Sequence, residues 1–563
     1  MTDLMSAAFA QCASLVGAAY QKAVAAGQLP DGAAEGACDV PKDAAHGDVA
    51  NSFALTAAKA CKMPPRAIAE TIMGHIDLAG SYFDKVEVAG AGFLNFFYSC
   101  AWRAALLAAV EAGGGDYGKS DWGRGKRVMV EFVSANPTGP MTLGNARGGV
   151  LGDVLASALE ATGHEVWREF YVNDAGNQVL MLAESLYARY VQRLRGETAA
   201  AVPEKGYHGD DIRDLADEFI AAYGDSYLAK PKDECLPDMQ AFAVTRNVDT
   251  IKADLLRYRI HYDEFFSERN LRDSGAVDET VELLRQNGHL YEADGATWFR
   301  ATAFGGEKDE VIVTSKGNYT YYAADIAYHR NKLIERGFDV AIDVLGADHH
   351  GHTLRFRAGL EAVGIDPQRL QFALYQLVSL TRDGETVRMS KRTGKSITLA
   401  DLLDDVSVDA ARFFFNNRST DTHLEFDMGL AVREDADNPV YYVQYAHARI
   451  HSVLAKLAAE GVVVKPAAQL DAGLLTHETE LSLLKTLAAF PGEVSGAAAA
   501  YQPYRINRCL LELAAAFHKF YNACRIKEAE PAVRDARLKL ADSVRQVLKN
   551  GLTLLNVTAP EAM

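Results

Sequence analysis

Across its 563 residues the chain has no apolar run near the roughly 18 residues that cross a bilayer, which excludes a helical membrane span. Its start, Met1-Thr-Asp-Leu-Met-Ser6, lacks the cationic flank and apolar core of a secretory leader. Cysteine is scarce: seven are scattered without a Cys-x-x-Cys pair, so neither a structural zinc site nor a disulfide framework is expected, and the reduced thiols of a cytoplasmic protein are. Positive charge is also short. With 58 Lys and Arg against 75 Asp and Glu, the net charge of −17 argues against a surface coated for indiscriminate nucleic-acid binding. Any RNA contact must be local. Candidate stretches are Arg124 to Arg127, Arg388 to Lys395, and the C-terminal Arg525, Lys527, Arg534, Arg537, Lys539, Arg545 and Lys549, each of which can also be an ordinary solvated helix face.

What is present suggests about three domains. Residues 1–105 read as a compact α+β unit, with Ala-rich helices followed by the strand-forming Lys85 to Phe97. Gly113-Gly-Gly-Asp-Tyr-Gly118 reads as a linker. A second unit, 120–436, alternates strands and helices: Val128 to Val133, His164 to Val172 and Asp339 to Leu345 are strand candidates, and Tyr319 to Glu335 is helical. This βαβ rhythm predicts a parallel sheet with a ligand at the carboxyl ends of its strands. A charge-rich helical insertion, about 197–275, interrupts it. Residues 437–563 have no strand signal and predict an all-α bundle of about four helices.

The most informative stretch is Glu131 to Asp153, where a strand runs through Ala135, Asn136, Pro137, Thr138, Gly139, Pro140, Met141, Thr142 and Leu143 into a helix with Gly144 and Asn145 in its first turn. The prolines stiffen the loop, and Gly139 and Gly144 let backbone approach a ligand. Unpaired N–H groups at the following helix start suit phosphate. Val387 to Lys395 is a basic, Gly-bearing loop suited to charge that builds up on a leaving pyrophosphate. Tyr321 and Asp325, four apart, share a helix face that could close on one guanidinium. Gly346-Ala-Asp-His-His-Gly-His352 follows a strand. Its histidines raise a metal site as an alternative, but the spacing is loose and no metal is expected. Tyr441, Tyr442 and Tyr445 offer rings for unstacked bases, with Arg449 one turn on.

These motifs, in this order, resemble bacterial-type arginyl-tRNA synthetases, a class I family, over essentially the whole chain. Residues 131–153 are similar to the family's "HIGH" region, although Thr142 and Asn145 stand where the signature carries histidines. Val387 to Lys395 resembles the "KMSKS" loop, with Arg388 and Arg392 at its outer positions. His46 to Ala54 and Gly92 to Phe96 are similar to the N-terminal domain that touches the tRNA elbow, and Asp437 to Arg449 resembles the opening of the anticodon-binding domain. The resemblance implies a Rossmann-type catalytic domain with a mobile lysine loop at 387–395. It implies ATP contacts from Ala135 to Asn145, Gly346, Asp348, Met389 and Lys391, with Thr142, Gly144, Asn145, Ser390 and Lys391 in catalysis. It further implies arginine contacts from Asn136, at the α-amino group, and from Glu268, Tyr321, Asp325 and His349, and tRNA contacts from Tyr441, Tyr445 and Arg449.

The implied reaction joins L-arginine to the 2′-hydroxyl of tRNA(Arg) through arginyl-adenylate, using ATP with Mg²⁺, in a cytoplasmic monomer that activates arginine only once tRNA is bound. Two alternatives stay open. One is a synthetase-derived tRNA-binding or regulatory paralogue weakened by the loss of both histidines, and the other is a class I enzyme for a different amino acid.

Overall fold

A computed structural model describes residues 3–382, 384–387 and 397–563. The N-terminal unit packs helices Leu4–Ala25, Phe53–Cys61 and Pro65–Met73 on a four-stranded antiparallel sheet. Gly47 makes the turn into that sheet at a φ of 87°, where a Cβ would fall 2.7 Å from the Phe96 carbonyl oxygen. The neighbouring Asp48 accepts from the Tyr98 N–H (2.6 Å).

The catalytic unit is built on five parallel strands: β1 (Arg127–Phe132), β2 (Glu165–Val172), β3 (Glu264–Ser267), β4 (Val340–Gly346) and β5 (Leu370–Tyr375). Their spatial order is β5-β4-β1-β2-β3. The chain moves outward from β1 through β2 to β3, then returns to lay β4 on the other side of β1. The direction of winding thus reverses between β1 and β4, and a crevice opens beyond their carboxyl ends, where such folds take ligands. Val128, Met129, Val130 and Phe132 are all buried, as a strand covered on both faces requires.

Helix α1 (Leu143–Ala161) covers the sheet. A Cβ at Gly148 would come within 2.6 Å of the Tyr375 hydroxyl, and one at Gly152 within 2.2 Å of the Phe132 ring, so these glycines serve close helix–sheet packing.

Helices α2 (Asn177–Arg195), α3 (Asp210–Tyr223) and α4 (Lys232–Arg257) form a separate packet around Tyr190, Phe219 and Met239. The sequence predicts that interruption to run to about residue 275. In the structure the chain has rejoined the parallel sheet by Glu264, because the aromatic Phe265 packs on Phe170 of β2 at 5.0 Å. Helix α5 (Tyr321–Arg330) continues into a single π turn, Asn331–Glu335.

Four long helices complete the chain: α6 (Pro439–Ala459), α7 (Glu478–Ala499), α8 (Tyr504–Ala523) and α9 (Pro531–Leu554). The glycine run expected as a linker is clamped: Asn550 donates to the carbonyls of Gly114 (2.8 Å) and Tyr117 (3.0 Å). A deeper clasp joins the same helices to the catalytic unit. Fully buried Arg412 donates to Asp153 Oδ2 (2.5 Å) and to the carbonyls of Leu555 and Tyr258 (2.9 Å each).

Candidate active site

Beyond β1 the backbone bends at Val133 and Ser134, whose φ values are 68° and 42°. Positive φ is a true outlier for β-branched valine and costs about 1–3 kcal/mol per residue, so the surroundings must impose it. Ser134 donates from its N–H to the Phe132 carbonyl (3.0 Å) and from Oγ to Glu131 (2.8 Å), while its Oγ accepts from the Tyr171 N–H (3.1 Å). Sequence reasoning assigned the bend to the loop's prolines and glycines and missed this pair. Further along, Asn247 of α4 donates to the Pro137 carbonyl (2.8 Å), so the inserted helices touch the loop directly.

Thr142 caps α1. Its hydroxyl donates to Asn145 Oδ1 (2.8 Å), its own N–H donates to the same oxygen (3.0 Å), and the Asn145 N–H returns to Thr142 Oγ1 (3.4 Å). The threonine hydroxyl is therefore engaged in the cap. The Asn145 amide N–H₂ and the backbone N–H groups of Leu143 and Gly144 have no partner among the described residues.

Met389, Ser390 and Lys391 lie outside the described residues. The chain on either side is anchored: Val387 N–H donates to Leu380 (2.9 Å), Leu399 N–H donates to the Met141 carbonyl (2.9 Å), and Thr398 bridges to Thr142. The chain that resumes at residue 397 is thus joined to the loop that precedes α1.

Asn136 is exposed and accepts from Asn173 Nδ2 (3.0 Å). Tyr321, 52% exposed, opens α5 with its hydroxyl close to Gly176; a Cβ there would lie 2.9 Å from it. One turn on, Asp325 accepts no hydrogen bond on its carboxylate from any described residue, and burial pushes its pKa up to about 7. Glu268, at the end of β3, contributes to that rise and is itself held above the ordinary carboxylate range by burial. It is not free: Arg272 meets it at 2.6 Å. Gly346 ends β4, and Asp348 and His349 follow on the surface 3.7 Å apart. Tyr375, the last residue of β5, donates to the Gly144 carbonyl (3.2 Å).

Below these groups lies a polar layer that sequence reasoning did not single out. Lys332 bridges Glu131 and Asp343, His329 meets Asp343, and Tyr328 and Arg336 meet Glu169. Its signal was the stripe Asp325, Tyr328, His329, Lys332 and Arg336, whose helical spacing runs from α5 through the π turn that follows it.

Three stretches match known families in the order of the fold: "Arginyl tRNA synthetase N terminal domain" at 11–98, "tRNA synthetases class I (R), catalytic domain" at 109–450, and "DALR anticodon binding domain" at 443–563. An arginine–tRNA ligase of Acetivibrio thermocellus is 47% identical over the full length of both chains. Another, of Caldanaerobacter subterraneus, is 51% identical over 93% of each. The chain belongs to the arginyl-tRNA synthetase family. A solved Thermus thermophilus arginyl-tRNA synthetase, 23% identical, shares the fold with a TM-score of 0.75 across 99% of this chain and all of that one.

In this synthetase the stretch matched to the anticodon-binding family carries an aromatic recess of about 350 Å³. Tyr441 and Tyr445 stack with centroids 5.9 Å apart, His518 lies 6.1 Å beyond Tyr445, and Arg449 donates to the Tyr445 hydroxyl (2.8 Å). Burial depresses the His518 pKa, which favours a neutral ring beside Arg449. Among the described residues no group of three or more His, Cys, Asp or Glu is placed to hold a metal ion, and no described helix is long and apolar enough to cross a membrane.

Proposed function

We propose that this member of the family is a working arginine–tRNA ligase, which uses ATP to activate L-arginine and transfers it to tRNA(Arg). The observation that supports the catalytic reading is the junction of Thr142 with Thr398, which joins the chain following Lys391 in sequence to the helix start bearing Asn145. The arginine carboxylate attacks the α-phosphate in line, pyrophosphate departs, and the terminal ribose 2′-hydroxyl then takes the arginyl group from the adenylate.

No side-chain nucleophile is required. Positioning of the reactants and stabilisation of spreading phosphate charge carry the rate. Here that task falls to the Asn145 amide, the backbone N–H groups of Leu143 and Gly144, and Lys391. Ser390 and Met389 complete the loop, and Asp348 and Gly346 receive the ribose. Mg²⁺ enters with ATP as part of the substrate. Asn136 takes the α-amino group. Tyr321 and Asp325 take the guanidinium, with His349 nearby, and Glu268 joins them only if Arg272 yields it. Tyr441, Tyr445 and Arg449 receive unstacked tRNA bases by stacking and cation–π contact. The protein works as a cytoplasmic monomer.

ATP–pyrophosphate exchange with arginine, with and without tRNA(Arg), tests the reading. Exchange that requires tRNA and is lost in Lys391→Ala is expected; absence of exchange under every condition would return the protein to a tRNA-binding role.

A further inference from the structure

Lys332 is fully buried, so its ammonium cannot touch a substrate. Its setting is unusual for a lysine. The π turn Asn331–Glu335 places it beneath the sheet's central crevice, and such single π turns are frequent at functional sites. Glu131 of β1 and Asp343 of β4 are register partners on adjacent parallel strands, which sets two carboxylates side by side. Lys332 lies between them, donating to Glu131 Oε2 (2.5 Å) and to Asp343 Oδ1 (2.9 Å). A buried ammonium survives only with such compensation. The two carboxylates hold its pKa above the ordinary lysine value although removal from water opposes this.

Each carboxylate leads to one side of the site. Glu131 accepts from Ser134 (2.8 Å), which holds the strained bend two residues before Asn136. Asp343 meets His329 Nε2 (2.8 Å), whose Nδ1 meets the main-chain carbonyl of Asp325 (2.7 Å).

We propose that Lys332 is a positioning residue that fixes the span between Asn136 and Asp325, and so gauges the length of the amino acid that the site accepts. The inference rests on the roles proposed above for those two residues. A substrate bridging them must match a distance set by one ammonium and two strands that cannot slide. An amino acid one methylene longer or shorter then loses one end contact.

The test compares L-arginine with L-homoarginine and with the homologue one methylene shorter, in tRNA-supported ATP–pyrophosphate exchange. One methylene is worth about 10- to 200-fold in kcat/KM for the parent protein. Lys332→Met is expected to shrink that ratio by about tenfold, through a higher arginine KM, while the ATP KM stays within about twofold. His329→Leu cuts only the limb toward Asp325 and leaves the ammonium paired, so it decides the matter where Lys332→Met does not fold. An unchanged ratio in a folded variant, or arginine and ATP KM rising together, overturns the proposal. Asp325→Ala separates the two readings. If its arginine KM is unchanged, the pocket assignment itself fails; if its arginine KM rises while the Lys332→Met and His329→Leu ratios stay at the parent value, only the gauge fails.

Discussion

Thr142 and Asn145 close on one another: the hydroxyl and main-chain N–H of the threonine both donate to the asparagine Oδ1, and the main-chain N–H of the asparagine donates to the threonine hydroxyl. The neutral pair that stands at the signature's histidine positions is therefore a helix cap with one amide left over. Thr142→Ala is expected to lower stability by about 1 kcal/mol, the worth of a cap, with exchange activity reduced less than tenfold. Asn145→Ala removes the remaining donor as well, and its kcat should fall about 10²- to 10³-fold. Chemical denaturation and exchange kinetics on both variants check this. Equal kinetic losses would mean that the threonine hydroxyl also serves phosphate.

Asp325 predicts a pH dependence. Its folded-state pKa of about 7 lies above the ordinary aspartate value near 3.9, so the native protein holds a proton through a window where the unfolded chain has lost it. Stability from this group is greatest below the unfolded value and declines as pH rises toward 7. Binding runs the other way, because only the carboxylate accepts a guanidinium fork. The kcat/KM for arginine should climb between pH 6 and pH 8 with an apparent pKa of about 7. Asp325→Asn should bind arginine poorly, yet raise the Tm of the ligand-free protein more at pH 8 than at pH 5.

Arg147 is fully buried and donates to the carbonyls of Gln376 (2.6 Å), Thr422 (3.1 Å) and Ser419 (3.1 Å). It ties α1 to the chain that flanks β5. Arg147→Ala strands three acceptors and should cost at least about 3 kcal/mol, read as a lower urea midpoint at unchanged slope.

Asn247 reaches the Pro137 carbonyl from the inserted helices. Its replacement by alanine deletes one hydrogen bond, worth about 1 kcal/mol, and should raise the ATP KM by about five- to tenfold with little change in Tm. An unchanged ATP KM would show that the insertion does not shape the loop.

Much of this architecture was legible from local pattern. The buried run at Val128 to Phe132 and the helices from Pro439 onward follow periodicity, and Tyr321 and Asp325 fall on one helix as their spacing implied. What escaped depends on which polar side chains meet, some of them near in sequence and some far. The bend at Val133 and Ser134 is forced by Tyr171 and Glu131, not by any turn-forming residue. Lys332 looks like a solvated helix lysine until Glu131 and Asp343 are brought beneath it. Glu268 was legible only through the family resemblance, and its pairing with Arg272 one helical turn on, an ordinary local spacing, was not drawn.

The Arg412 clasp bears on how the molecule is made. Asp153 is also held by Asn556, 403 positions further along the chain. At ordinary translation speeds about 20 to 80 s separate the synthesis of those two residues. Until Leu555 and Asn556 emerge, the base of α1 lacks part of its support, so a nascent chain carries every catalytic motif before it carries a finished catalytic site. Products that stop short of Asn556 would then be poor enzymes.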